Sequence, residues 1–251
     1  MSMVPEGSHV RQVYLDETEG VLNSDLSHKL LIDFSTIDTA TSLLVNERIK
    51  EKYPASSSSF YDAPVSGGPI GAENATLTVM LGCSDTDPNL PRLRELISLM
   101  GKSIVPCGGP SLGLTAKLCN NYLSGLTCIA TAETYNIAIR SGLDPKLLHG
   151  IFQTSTAQNC MNDKFNPVPN VIADSPANRG YSGGFKVQLM RKDFNLAVEM
   201  AERVGARLQL GQAGLQTYTE ASQDPRCQDL DSRVVYRYIG GDEEWEKRLR
   251  Q

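Results

Sequence analysis

Hydrophobic positions along the chain change rhythm once, near Gly113. Before that point, short aliphatic and β-branched runs alternate with stretches of helical period: "KLLIDF", "TATSLLVNERIKEKY", "SFYDAP", "TLTVMLG", "NLPRLRELISLMG" and "SIVPCGG". This alternation predicts an α/β arrangement, and a strand as continuously apolar as "LLIDF" predicts a sheet covered on both faces. After Gly113 the strand patterns cease. "GLTAKLCNNYLSGLTCIATAETYNIAIRSGLD" predicts one helix of about 28 residues, roughly 40 Å long. It is apolar nearly all round, which predicts a buried central helix closed by Gly142, with Pro145 just beyond. A second amphipathic helix covers "VQLMRKDFNLAVEMAERVG" and ends at Gly205. Between them "NDKFNPVPNVIADSPANRGYSGGF" is a loop rich in proline and glycine, long enough to be functional or disordered. The four serines Ser56–Ser59 predict a surface turn. The expected organisation is thus an α/β domain over residues 1–111 and an all-helical domain over 112–251.

Composition narrows the classes without naming one. With 251 residues and 40% hydrophobic content, the chain can bury one large core or two smaller ones. A net charge of −5 with scattered basic residues offers no face for nucleic acid. Six cysteines without a C-x-x-C pair, and three histidines far apart, signal neither a metal site nor a disulfide framework, and fit a reducing compartment. The most apolar stretch, Tyr122 to Ala132, is too short to span a membrane. The opening twenty residues carry no apolar signal core and no Arg-rich import pattern.

Three features carry candidate chemistry. In "DAPVSGGPIGAENATLTVM" a strand breaks at Ser66, Gly67 and Gly68, which reads either as a β-bulge or tight turn between two strands, or as a turn of successive N–H donors suited to a carboxylate. Lys117 and Asn121 lie four apart on one face of an otherwise apolar helix. A lysine buried there is a candidate general acid/base, the alternative being that it snorkels to solvent. Asn121 could hold the amine, and neighbouring Asn120 is the other candidate. In "LMRKDFNLA", Lys192 and Asp193 interrupt an apolar face, for which a solvated pair on the exposed side is the common explanation.

Together, "DAPVSGG", "GA", "TLTVMLG", "GLTAKLCNN" and "GFKVQLMRKD", in this order and spacing, resemble the β-hydroxyacid dehydrogenase family, in its 3-hydroxyisobutyrate branch. The resemblance extends through "LLIDFSTID", "GLDPKLL" and "FNPVPNV" and covers nearly the whole chain. It implies the C-terminal part of a Rossmann-like doubly wound sheet, followed by an all-helical domain with a long central helix. It also implies NAD- or NADP-dependent oxidation of a short β-hydroxy acid to its semialdehyde. By the family pattern Lys117 is the catalytic lysine and Asn121 its companion, while Ser66, Gly67, Gly68 and Phe185 belong to the substrate side. Pro5, Thr36 and Lys192 fall at cofactor-contacting positions. The resemblance further implies a small carboxylic-acid substrate, a homodimer or homotetramer built on the long helix, and a mitochondrial matrix location, or a cytoplasmic one if no presequence lies upstream.

Departures from the pattern shape further expectations. The family opens with a strand and a G-x-G-x-x-G turn that holds the dinucleotide pyrophosphate at a helix N-terminus, and no glycine cluster in this sequence has that spacing. Cofactor binding is therefore expected to be weakened or lost. The chain is expected to be either a truncated reading of a dehydrogenase or a short non-catalytic paralogue that keeps a carboxylate-binding or oligomerisation role. Without an upstream strand, "LLIDF" is expected to leave a long apolar edge unpaired, so that the chain is poorly stable or self-associates. Two smaller departures are Thr39, where proline is usual, and His9, where an asparagine is common near the nicotinamide; Ser111 also replaces the first glycine of a G-x-G ahead of the lysine.

Overall fold

The computed structural model describes residues 1–54 and 59–249, and contacts divide the chain into two compact units, Met1–Asn120 and Asn121–Gln251. Of the expected serine turn, Ser56, Ser57 and Ser58 lie outside the described residues, while Ser59 opens a strand.

The first unit is α/β. Helix α1 (Gly7–Leu15) precedes strand β1 (Leu30–Asp33), which leads into α2 (Thr39–Lys52) and then β2 (Ser59–Asp62), parallel to β1 with Leu31 opposite Phe60. This is a parallel pair joined by a helical crossover, as apolar strands separated by a helical period require. β2 continues through Ala63 and Pro64 into β3 (Val65–Ser66), after which come α3 (Gly68–Glu73), β4 (Leu77–Leu81), α4 (Leu90–Ile97) and β5 (Gly101–Pro106). β4 is antiparallel to β3 and parallel to β5. Bonds from Gly82 N–H to the Asp62 carbonyl (2.7 Å) and from Met80 N–H to the Pro64 carbonyl (3.0 Å) join the two strand groups along the chain from β2 to β3. Ile32, Phe34, Tyr61, Val79, Leu81, Leu93 and Ile97 form one core; Val10, Tyr14, Val45, Ile49, Phe60 and Leu114 form another.

The open edge expected on "LLIDF" is partly occupied. Ser2 bridges Asp33 in parallel, donating to the Ile32 carbonyl (2.9 Å) and accepting from Phe34 N–H (2.8 Å), so the first residues act as a short third strand. Backbone groups facing that edge are costly when unpaired, and residues just before α1 satisfy two of them.

The second unit is helical. It takes most of α5 (Leu112–Arg140), then α6 (Pro145–Thr154), α7 (Cys160–Asp163), α8 (Val187–Arg203), α9 (Gly211–Gln223), α10 (Val235–Tyr238) and α11 (Trp245–Leu249). α5 ends as predicted, with Gly142 at φ +87° and Leu143 N–H bonded to the Ala138 carbonyl (3.0 Å). Its burial differs from the expectation of a helix covered on every side, since Leu112, Leu123 and Ile137 are exposed at 43, 66 and 67%. The other faces pack into a core of Tyr135, Tyr181, Phe194, Tyr218, Tyr236 and Trp245. Buried rings of this kind need partners for their polar ends. They find them in Tyr135 to Asn162 (2.7 Å), Tyr181 to the Pro167 carbonyl (2.9 Å), Tyr218 to the Gly125 carbonyl (3.0 Å) and Trp245 to the Pro169 carbonyl (2.8 Å). The long loop is therefore packed chain, with Val168 and Tyr181 fully buried.

Candidate active site

In the first unit, three sequence-predicted positions gather around the strand ends. Ser66 is the last residue of β3, opposite Thr78. The backbone then turns through Gly67 (φ +138°) and Gly68 (φ +62°) directly into α3. A side chain is strained at either angle, and a Cβ on Gly67 would also lie 3.0 Å from Leu77 Cδ2. The break is thus a strand end passing into a helix rather than a β-bulge. Gly67 and Gly68 face solvent, and Ser66 is half-buried. Lys117, the second feature, is 7% exposed on α5, which removes the snorkelling alternative.

Asp62, which the sequence did not single out, links these pieces. Its carboxylate is 2% exposed and accepts from Ser111 N–H (2.7 Å) and Leu114 N–H (2.9 Å) at the start of α5. Burial pushes its pKa up, and the two N–H donors act against that shift.

The chain neighbours of Pro5 and Thr36 meet at the C-terminal end of β1. Val4 N–H donates to Ser35 Oγ (2.8 Å), and Asp33 accepts from the hydroxyls of Ser35 (2.6 Å) and Ser2 (2.8 Å). Burial raises the Asp33 pKa as well. The starts of α1 and α2 converge here, since a Cβ on Gly7 would lie 2.6 Å from Asp38 Oδ2, and Asp38 caps α2 through Thr41 N–H (2.8 Å). Thr39 is the first residue of α2, the position where proline is tolerated because no helical N–H is needed, so the departure there is conservative.

In the second unit, Asn121 Nδ2 donates to Asp193 Oδ2 (2.6 Å), and Lys192 Nζ pairs with Asp193 Oδ1 (3.2 Å). The pair is not a solvated one: Asp193 is 2% exposed on the face of α8 that also buries Met190, Phe194 and Ala197. The solvated pair expected from the sequence is thus corrected for Asp193, which helical spacing from Met190 and Ala197 places on the inner face. Phe185 is half-buried and held by its backbone, its N–H on Asp231 Oδ2 (2.8 Å) and its carbonyl receiving Ser232 N–H (2.8 Å). Asp231 is itself ion-paired to Arg233 (2.9 Å).

Parallel strands whose C-terminal ends meet helix N-termini, followed by an all-helical unit, are the architecture of a nucleotide-binding dehydrogenase with a helical C-terminal domain. Residues 1–109 match the family described as the NAD binding domain of 6-phosphogluconate dehydrogenase, and residues 112–239 match the NAD-binding region of NADP-dependent 3-hydroxyisobutyrate dehydrogenase. A probable mitochondrial 3-hydroxyisobutyrate dehydrogenase from Dictyostelium discoideum is 43% identical over 87% of this chain and 66% of its own length. The Pseudomonas aeruginosa 3-hydroxyisobutyrate dehydrogenase is 35% identical over 96% of this chain and 79% of its own. The structure of the Mycobacterium tuberculosis 3-hydroxyisobutyrate dehydrogenase with L-serine matches at a TM-score of 0.85 and 34% identity, over 94% of this chain and 77% of that one. The chain belongs to the 3-hydroxyisobutyrate dehydrogenase family. It spans about two thirds of the length of the Dictyostelium relative and 63% of the mouse one.

Proposed function

We propose that the chain serves the NAD- or NADP-dependent oxidation of a short β-hydroxy acid of the 3-hydroxyisobutyrate type to its semialdehyde, with Lys117 as general acid/base. The observation that carries this reading is a nearly water-free amine on the helix whose first turn is bonded to Asp62, four residues before the Ser66–Gly68 turn. In its neutral form the Lys117 amine can take the proton of the substrate hydroxyl. The Ser66 hydroxyl and the N–H groups at Gly67 and Gly68 hold the substrate carboxylate. Asn121, held by Asp193, follows the lysine by one turn along α5, and the family pattern assigns Phe185 to the substrate side.

Pro5 and Thr36, near the C-terminal end of β1, suit the nicotinamide side of the cofactor, and the family pattern would add the cation of Lys192. The bound nicotinamide would accept the hydride. L-serine, present in the mycobacterial relative's structure, has both the carboxylate and the β-hydroxyl this reading needs. The exposed Leu112, Leu123 and Ile137 along α5 support a homo-oligomer, and the mitochondrial relatives support a matrix location.

Replacing Lys117 by alanine tests the reading. Turnover followed by nicotinamide absorbance is expected to fall by about 10²–10⁴, the usual worth of a general acid/base, with the KM for the hydroxy acid little changed. Retention of turnover within a few-fold would remove Lys117 from the chemistry. A wild-type chain that binds small carboxylates in calorimetry yet oxidises none would favour the non-catalytic role.

A further inference from the structure

We propose that Asp62 is a positioning residue that holds the Lys117 amine in place by capping α5 from a different strand, an inference that rests on the function proposed above. A helix ordinarily draws its cap from the residue just before it. Here the acceptors come from a residue 49 positions before Ser111 and 52 before Leu114. One carboxylate oxygen takes each N–H, at 2.7 and 2.9 Å. The two oxygens thus each take one donor at the positive end of the long helix, where negative charge is favoured.

The surroundings are cleared for this one group. A Cβ at Gly82 would lie 1.8 Å from Asp62 Oδ1, and one at Gly113 would lie 2.8 Å from Oδ2 and 2.2 Å from the Met80 carbonyl. Two glycines thus let the helix start and the end of β4 close around the carboxylate. Lys117 follows Leu114 by three residues and so sits on the same side of the helix, one turn further in. Ser66 follows Asp62 by four residues, through β3. A single buried side chain therefore ties together the two stretches that carry the proton-transfer group and the carboxylate turn. Asn in place of Asp keeps the shape but leaves one acceptor for two donors, with its amide N–H₂ directed at the other N–H.

The test uses the whole 251-residue chain and the variants D62N and Asp144→Ala. Asp144 caps α6 through Lys146 N–H (2.8 Å) and stands as a control for plain loss of a helix cap. In Asp62→Asn, deuterium exchange of amides 111–118 is expected to accelerate at least about tenfold, and acylation of the Lys117 amine by a soluble ester to accelerate about as much, with peptides of α8 and α9 unchanged. Turnover is expected to drop about thirtyfold with the KM for the hydroxy acid within twofold, while Asp144→Ala keeps the wild-type turnover. Unchanged exchange over 111–118 would overturn the clamp. Faster exchange with unchanged Lys117 acylation and unchanged turnover would overturn the positioning role. If the wild-type chain oxidises no hydroxy acid, the function proposed above fails, and the acylation rate of Lys117 still decides this inference. Should D62N not fold, Asp62→Ser, which keeps one acceptor, takes its place with the same readouts.

Discussion

Individual residues divide by whether their role depends on near or distant neighbours in sequence. The burial of Lys117 was legible because the residues around it on one helix are apolar, and so was the strained turn at Gly67 and Gly68. Asp193 was legible in principle by its spacing from Met190 and Ala197, yet a charged dipeptide drew the surface reading. The role of Asp62 was not, because its partners lie 49 and 52 residues on, although the residue opens the quoted "DAPVSGG" motif. Ser111 falls between these cases: the family pattern flags it as a missing glycine, and the backbone supplies the reason. Its φ is +61°, in the left-handed region that costs an L residue about 1–2 kcal/mol. Glycine removes that strain and returns part of the gain through the entropy of the unfolded chain. Ser111→Gly is expected to stabilise the protein by about 0.5–1 kcal/mol in urea unfolding; a lower midpoint at unchanged slope would show the serine is not strained there.

Elements were legible where one signal dominated. The two apolar helices α5 and α8 and strands β1, β2, β4 and β5 follow from period and composition alone. α1 and α9 were missed because each opens on glycine and mixes polar residues through its length, so propensity and hydrophobic pattern give no clear answer. Tertiary packing explains the cost. Gly125 in α5 and Gly214 in α9 let Phe194 of α8 wedge between them: a Cβ would lie 3.1 Å from the ring at Gly125 and 2.4 Å from its Cζ at Gly214. These glycines are a requirement of close helix approach, paid in helix propensity of about 1 kcal/mol each. Gly214→Ala therefore gains local propensity and loses packing, and overpacking at about 1–3 kcal/mol outweighs it. Net destabilisation of about 1–2 kcal/mol is expected in thermal unfolding. A stabilised variant would mean that the ring has room to turn away.

On the scale of the whole molecule, contacts divide the chain after Asn120, inside α5, whereas the change of strand pattern suggested a boundary after residue 111. The α/β part buries its cores around Ile32, Val79 and Leu81 and around Val10 and Phe60, and the helical part buries tyrosines. What the sequence hides is how many ionisable groups this encloses. Burial pushes the thiols of Cys83, Cys128 and Cys227 from about 9 up to about 11, and the phenols of Tyr14 and Tyr135 from about 10 up to about 12. Tyr181, Tyr218 and Tyr236 are pushed higher still, again by burial. The sign follows from proton linkage: a group whose pKa is raised by folding contributes stability that is complete below its unfolded value and is lost as pH climbs toward its folded value. Each such group removes a little over 1 kcal/mol per pH unit within its window, so three thiols together remove about 4 kcal/mol per unit between roughly pH 9 and 11. The phenols join above about pH 10. Against a total stability of about 5–15 kcal/mol, the fold should fail near pH 10–11. Denaturant midpoints measured from pH 7.5 to 10.5 are expected to fall steeply above pH 9, and Cys128→Ala, lacking one of the three thiols, is expected to lessen that slope by about a third. A midpoint constant to pH 10.5 would mean the thiols ionise in place, which is incompatible with the dry cores that enclose them.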